Sequence, residues 1–68
     1  MKTIDACGRA CPEPVLMTKR ALESSPEGVT VLADNAIAAA NITRFAANAG
    51  FKLSQTEQLG IYTLTLTK

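Results

Sequence analysis

The stretch Pro12-Glu13-Pro14-Val15-Leu16-Met17-Thr18-Lys19-Arg20-Ala21-Leu22-Glu23-Ser24-Ser25-Pro26-Glu27-Gly28-Val29-Thr30-Val31-Leu32-Ala33 changes its periodicity halfway along. From Pro12 to about Ser24 the spacing is helical: Val15, Thr18 and Leu22 share one stripe, Met17 and Ala21 flank it, and Lys19, Arg20 and Glu23 face away. Leu16 falls on the polar side and is expected to be exposed. Proline is tolerated in a first helical turn, where its missing N–H has no intrahelical partner anyway. Ser24 to Gly28 then combine a helix stop with turn residues, and the β-branched run Val29 to Ala33 reads as a strand.

Working outward, Thr3-Ile4-Asp5-Ala6 alternates as a short strand with Ile4 and Ala6 inward, and Cys7-Gly8-Arg9-Ala10 reads as a loop. Downstream, Asp34 and Asn35 are good N-cap residues for a second helix over 36–49. Its apolar stripe is Ala38, Ile42, Phe45 and Ala49, and Gly50 suits the left-handed position that ends it. Phe51 and Leu53 alternate with Lys52 and Ser54. Tyr62, Leu64 and Leu66 alternate with Ile61, Thr63, Thr65 and Thr67, and Gln58-Leu59-Gly60 supplies the turn between them. The order is β-α-β-α-β-β. Two one-sided helices and half-polar strands give an α/β (α+β) fold, a four-stranded sheet covered by helices on one face and open on the other.

With 68 residues the chain has room for one domain, expected to span 1–68, and none for a separate cofactor domain. A hydrophobic content of 47% marks a globular chain rather than a disordered one. Seven Lys plus Arg against six Asp plus Glu leave a net charge of +1, which nominates no nucleic-acid partner. No apolar run is long enough to cross a bilayer. The start Met1-Lys2-Thr3 lacks the apolar stretch of a secretory signal, and two cysteines are too few for a disulfide scaffold. A soluble protein in a cytoplasmic, reducing setting is expected. Histidine is absent, which removes Cys-His dyads, Ser-His-Asp triads and His-ligated metals. No metal and no cofactor are expected, and chemistry is left to thiols, carboxylates and backbone.

Cys11 stands directly before Pro12, where the predicted helix begins. A helix N-terminus gathers unpaired N–H groups and the positive end of the macrodipole, both of which favour the reactive thiolate. Packing is the competing reading, since free cysteine is commonly buried; the Gly-containing loop before it and the stiff prolines behind it favour function. Opposing influences act on its charge. Pro12 and Pro14 remove first-turn donors and Glu13 adds negative charge, while Arg9 adds positive charge. Cys7 and Cys11 form C-x3-C, which is not the C-x-x-C redox spacing. Cys7 is then a resolving thiol, a disulfide partner or a small loop residue packed against the sheet. Asp5 either hydrogen-bonds the loop backbone or tunes Cys11.

The segment Asp5-Ala6-Cys7-Gly8-Arg9-Ala10-Cys11-Pro12-Glu13-Pro14-Val15 resembles the signature of the TusA-like (SirA-like) sulfur-carrier family. Asp5, Gly8, Cys11, Pro12 and Pro14 match it position for position. The later stretch from Ala33-Asp34-Asn35 to Gly50-Phe51 looks like the YedF-type branch. The resemblance implies a two-layer sandwich with a four-stranded mixed sheet and two helices on one face. It also implies that Cys11 accepts a sulfane sulfur as a persulfide from a cysteine desulfurase or another sulfurtransferase, then relays it to an acceptor protein. For this branch a link to selenium metabolism is implied as well. Two departures stand out: Cys7 occupies a position that is usually not cysteine, and a second domain common in YedF-type proteins is absent from this sequence.

Three functions follow for comparison. The first is a persulfide carrier using Cys11, with Arg9, Leu16, Lys19 and Arg20 as a docking surface near the helix start. The second is a regulatory or RNA-binding module, disfavoured because Phe45, Phe51 and Tyr62 all fall on inward positions and leave no stacking platform. The third is a dithiol redox protein using Cys7 and Cys11.

Overall fold

Alternation over residues 28–33 buries Val29, Val31 and Ala33 completely, which makes this strand the centre of the molecule. The computed structural model describes residues 2–8 and 13–68. It contains β1 (Lys2–Asp5), α1 (Glu13–Ser24), β2 (Gly28–Ala33), α2 (Ala36–Asn48), β3 (Lys52–Gln58) and β4 (Ile61–Thr67). The sheet order is β1-β2-β4-β3. β1 pairs in parallel with β2, and the other pairings are antiparallel, so the sheet is mixed.

Both helices pack on one face of this sheet. From α1 the buried residues are Pro14, Thr18, Ala21 and Leu22, and from α2 they are Ala38, Ala39, Ile42 and Ala46. They meet Val29, Val31, Leu64 and Leu66 from the strands, with Phe45, Phe51 and Tyr62 packed half-buried at the margin. Thr18 is a polar residue inside this core. Its Oγ1 donates to the Pro14 carbonyl at 2.8 Å, so the hydroxyl is satisfied within its own helix. The opposite face carries rows such as Thr3, Thr30, Thr65 and Ser54, aligned across all four strands by the register and free of aromatic side chains.

The ends of α2 follow from single residues. Asn35 sits in an extended conformation as N-cap, and its side chain accepts from the Ala38 N–H at 2.7 Å. At the other end Gly50, at φ +81°, lets its N–H reach the Ala47 carbonyl while the Phe51 N–H reaches Ala46, closing a Schellman motif. The apolar stripe expected to end at Ala49 therefore ends one turn earlier. Ala46 is buried and Ala49, now the C-cap, is exposed, because the chain has already turned toward β3.

Two other glycines are required by geometry. Gly28 has φ +149°, and a Cβ there would collide with the Leu66 carbonyl oxygen of the adjacent strand. Gly60, at φ +81°, follows Leu59 at φ 53° in a two-residue turn between Gln58 and Ile61. Positive φ at both central positions is the type I′ geometry that matches strand twist. Leucine is an unusual choice for it, since a left-handed conformation costs a residue with a Cβ about 1–2 kcal/mol.

The strand directions set two poles. β1, β2 and β3 run toward one end and both helices start there. The Cys7-Gly8 turn, Asp34-Asn35 and the Leu59-Gly60 tip therefore share that end of the molecule. The Ser25–Glu27 turn and Gly50 lie at the other.

Candidate functional site

The loop between β1 and α1 leaves the sheet through a turn held by two carboxylates. Asp5, the last residue of β1, accepts from the Cys7 N–H at 3.0 Å. This is a local bond of the kind aspartate forms readily two residues ahead of a turn. Asp34 lies just beyond β2, 26 positions after Gly8, and its Oδ2 accepts from the Gly8 N–H at 2.8 Å. Its Oδ1 accepts from the Asn35 side chain at 3.2 Å. Gly8 takes φ +78°, a conformation glycine adopts at no steric cost. Ala6, directly before the turn, is buried and donates its N–H to the Leu32 carbonyl at 2.8 Å. The start of the loop is thus fixed to β2 by backbone and by side chain.

Cys7 is a free, half-buried cysteine. Desolvation by its surroundings, a hydrogen bond to Asp5 and the negative charges of Asp5 and Asp34 all push its thiol above the ordinary value. At neutral pH it holds its proton. Its nucleophilic form is scarce there.

Cys11, Arg9 and Pro12 lie outside the described residues, and with them the expected N-cap placement of Cys11. Glu13 is the first residue of α1 and is exposed, where a carboxylate complements the positive end of the helix dipole. Pro14 is buried, which anchors the first turn. Leu16 is 44% exposed on this turn, and Lys19 is exposed further along. Arg20 points elsewhere. It lines a shallow groove of about 270 Å³ with Lys2, Ile4, Met17, Ala21 and Ser24, toward the pole away from the turn. Among the described residues no group of His, Cys, Asp and Glu could hold a metal ion.

Asp34 is the residue that sequence reasoning assigned only a capping role. Its contact with Gly8 joins positions too far apart in the chain for any local pattern to reveal. The one available signal was the pairing of two cap-competent residues, of which Asn35 alone caps α2.

A sequence profile described as sulfurtransferase TusA matches residues 2–68. The chain belongs to the TusA sulfurtransferase family. A relative from Methanocaldococcus jannaschii, named as a candidate sulfur carrier protein, is 45% identical over 60 residues, covering 85% of this chain and 80% of its own. Another from Archaeoglobus fulgidus, similarly named, is 36% identical over 61 residues, covering 87% of this chain and 79% of its own. The crystal structure of a SirA-like protein from Desulfitobacterium hafniense superimposes with a TM-score of 0.90 at 38% identity. The match covers 98% of this chain and 96% of that one. This TusA-family chain therefore shares the mixed four-stranded sheet and paired helices of its neighbour, and a sulfur-carrier role comes with the family. No helix among its described residues is long and apolar enough to cross a membrane.

Proposed function

We propose that this chain carries sulfane sulfur as a persulfide on Cys11, in a cytoplasmic setting, between a donor such as a cysteine desulfurase and an acceptor protein. The observation that supports this most is the family match over residues 2–68, within which Cys11-Pro12-Glu13-Pro14 leads into α1. In loading, the Cys11 thiolate attacks the terminal sulfur of the donor persulfide. A new S–S bond forms to Cys11, the donor's S–S bond breaks, and the donor cysteine leaves as thiolate. In delivery an acceptor thiolate attacks the same terminal sulfur and Cys11 leaves. Neither step needs an outside oxidant or reductant.

The Cys7 environment supports a carrier over a dithiol redox protein. Attack of Cys7 on the inner sulfur of a Cys11 persulfide would form a disulfide and expel sulfide, discharging the carrier. Desolvation of Cys7, together with Asp5 and Asp34, opposes that reaction by keeping the thiol protonated. The half-buried placement of the aromatic residues leaves the RNA-binding reading without a stacking surface.

Incubation with a cysteine desulfurase and cysteine should add sulfur to the intact mass, and Cys11→Ser should abolish the adduct. An adduct retained in Cys11→Ser, or none in the parent chain, would remove the proposal. The assignment to the YedF-type branch rests on the sequence from Ala33 to Phe51 and adds selenium as a second cargo. Supplying selenocysteine to the desulfurase should then give the heavier adduct on the same residue.

A further inference from the structure

The large apolar side chains exposed among the described residues are Leu16, Ile37, Leu59 and Ile61, and all of them lie at one pole. Leu16 and Ile37 sit in the opening turns of α1 and α2, and Leu59 and Ile61 in and beside the hairpin turn. The Cys7-Gly8 turn, which leads to Cys11, is at this same pole. Scattered single exposures need no explanation, but their gathering at one end does.

Leu59 is the extreme case. It is fully exposed, with no intramolecular packing to favour an apolar side chain, and it holds a positive φ that asparagine or glycine would adopt with less strain. Both choices act against the isolated fold, and contact with another molecule would explain both. The charges at this pole narrow what that molecule is. The exposed carboxylates of Asp34 and Glu57 lie here, with Asp5 and Glu13 beside them already engaged in contacts of their own. Of the cations, Arg9 lies outside the described residues, and Lys2, Lys19, Arg20, Arg44, Lys52 and Lys68 lie midway along the elements or at the far end.

We infer that the β3–β4 tip is a docking finger, with Leu59 entering an apolar pocket bordered by basic residues on the protein that donates sulfur to Cys11. The inference rests on the carrier reading and names the partner's surface. Sulfur transfer needs the two cysteines in direct contact, so a donor engaging this pole covers apolar groups within an acidic collar. Opposite charge on the donor speeds the encounter, and the buried leucine slows its dissociation.

The test compares two sulfur sources on the parent chain and on Leu59→Asn, a substitution that suits the turn. With cysteine persulfide, a small donor that needs no docking, both proteins should acquire the Cys11 adduct at the same rate. With a cysteine desulfurase and cysteine, Leu59→Asn should load about tenfold more slowly, and added salt should slow the parent chain with this donor alone. Leu59→Asn should also melt no lower than the parent chain. Equal loading of the two proteins from the desulfurase overturns the docking finger while leaving the carrier intact. A parent chain that self-associates through Leu59, shown by a sedimentation change in Leu59→Asn, overturns it in favour of a second copy as occupant. No adduct on the parent chain from either source removes the carrier reading, and the donor's docking with it.

Discussion

At the scale of single residues, the behaviour of Cys7 is the sharpest expectation. Desolvation first, then the hydrogen bond to Asp5 and the charges of Asp5 and Asp34, raise its pKa, so alkylation of Cys7 should proceed with a midpoint above that of an exposed cysteine. Asp34→Asn keeps an acceptor for the Gly8 N–H but removes a charge. It should lower that midpoint and speed alkylation at mildly alkaline pH about two- to threefold, read by mass spectrometry of the Cys7 peptide. The same shift has a consequence for stability. The folded state holds the thiol proton more tightly than the unfolded chain does. That contribution is intact below the unfolded pKa and is lost as pH rises through the folded one. Denaturant titrations at increasing pH should show an alkaline decline that Cys7→Ser flattens.

At the scale of elements, caps and turns give the clearest tests. Asn35→Ala removes the side-chain acceptor at the start of α2 and should destabilise the protein by about 1 kcal/mol. Gly28→Ala should cost more, about 2 kcal/mol or above, because its methyl group meets backbone that cannot rotate away. Urea unfolding monitored by circular dichroism measures both. These elements were legible in the sequence to the extent that their causes are local. The helical stripe of α1, the Asn35 cap, the Gly50 stop and the Thr-alternating hairpin each depend on neighbours within a turn or two. What stayed hidden depends on distant partners or on backbone angles that composition does not announce. The Asp34 bond to Gly8 joins two loops, and although Gln58-Leu59-Gly60 reads as a turn, nothing in it announces the left-handed angle at Leu59. The crossing of β4 between β2 and β3 is set by pairing, not by periodicity.

At the scale of the whole molecule, one small core holds everything. Ile42 is completely buried between the helices and the sheet, and Ile42→Ala should cost about 2–5 kcal/mol. A domain of this size has roughly that much stability in total, so the variant should be largely unfolded at ambient temperature. Loss of near-ultraviolet signal and of chemical-shift dispersion would record it. The core is built from aliphatic residues and alanine with the aromatics at its margin. The element order and strand directions, rather than any one contact in this core, set both helix N-termini at the end of the turn that leads to Cys11.

Sheet order carries a dynamic consequence as well. β1 is four residues long, sits at the edge, and pairs only with β2, whereas β2 and β4 are each bordered on both sides. The strand that launches the loop is the one the remaining sheet can spare. Local opening of β1 ruptures one short ladder, the Ala6 and Gly8 bonds and the contact of Ile4 with the core, fewer ties than hold the central strands, so its amides should exchange with deuterium ahead of those in β2 and β4. The turn at Cys7 and Gly8 therefore hangs from the part of the sheet that loosens first, while the pairing of β2 with β4 behind it stays closed.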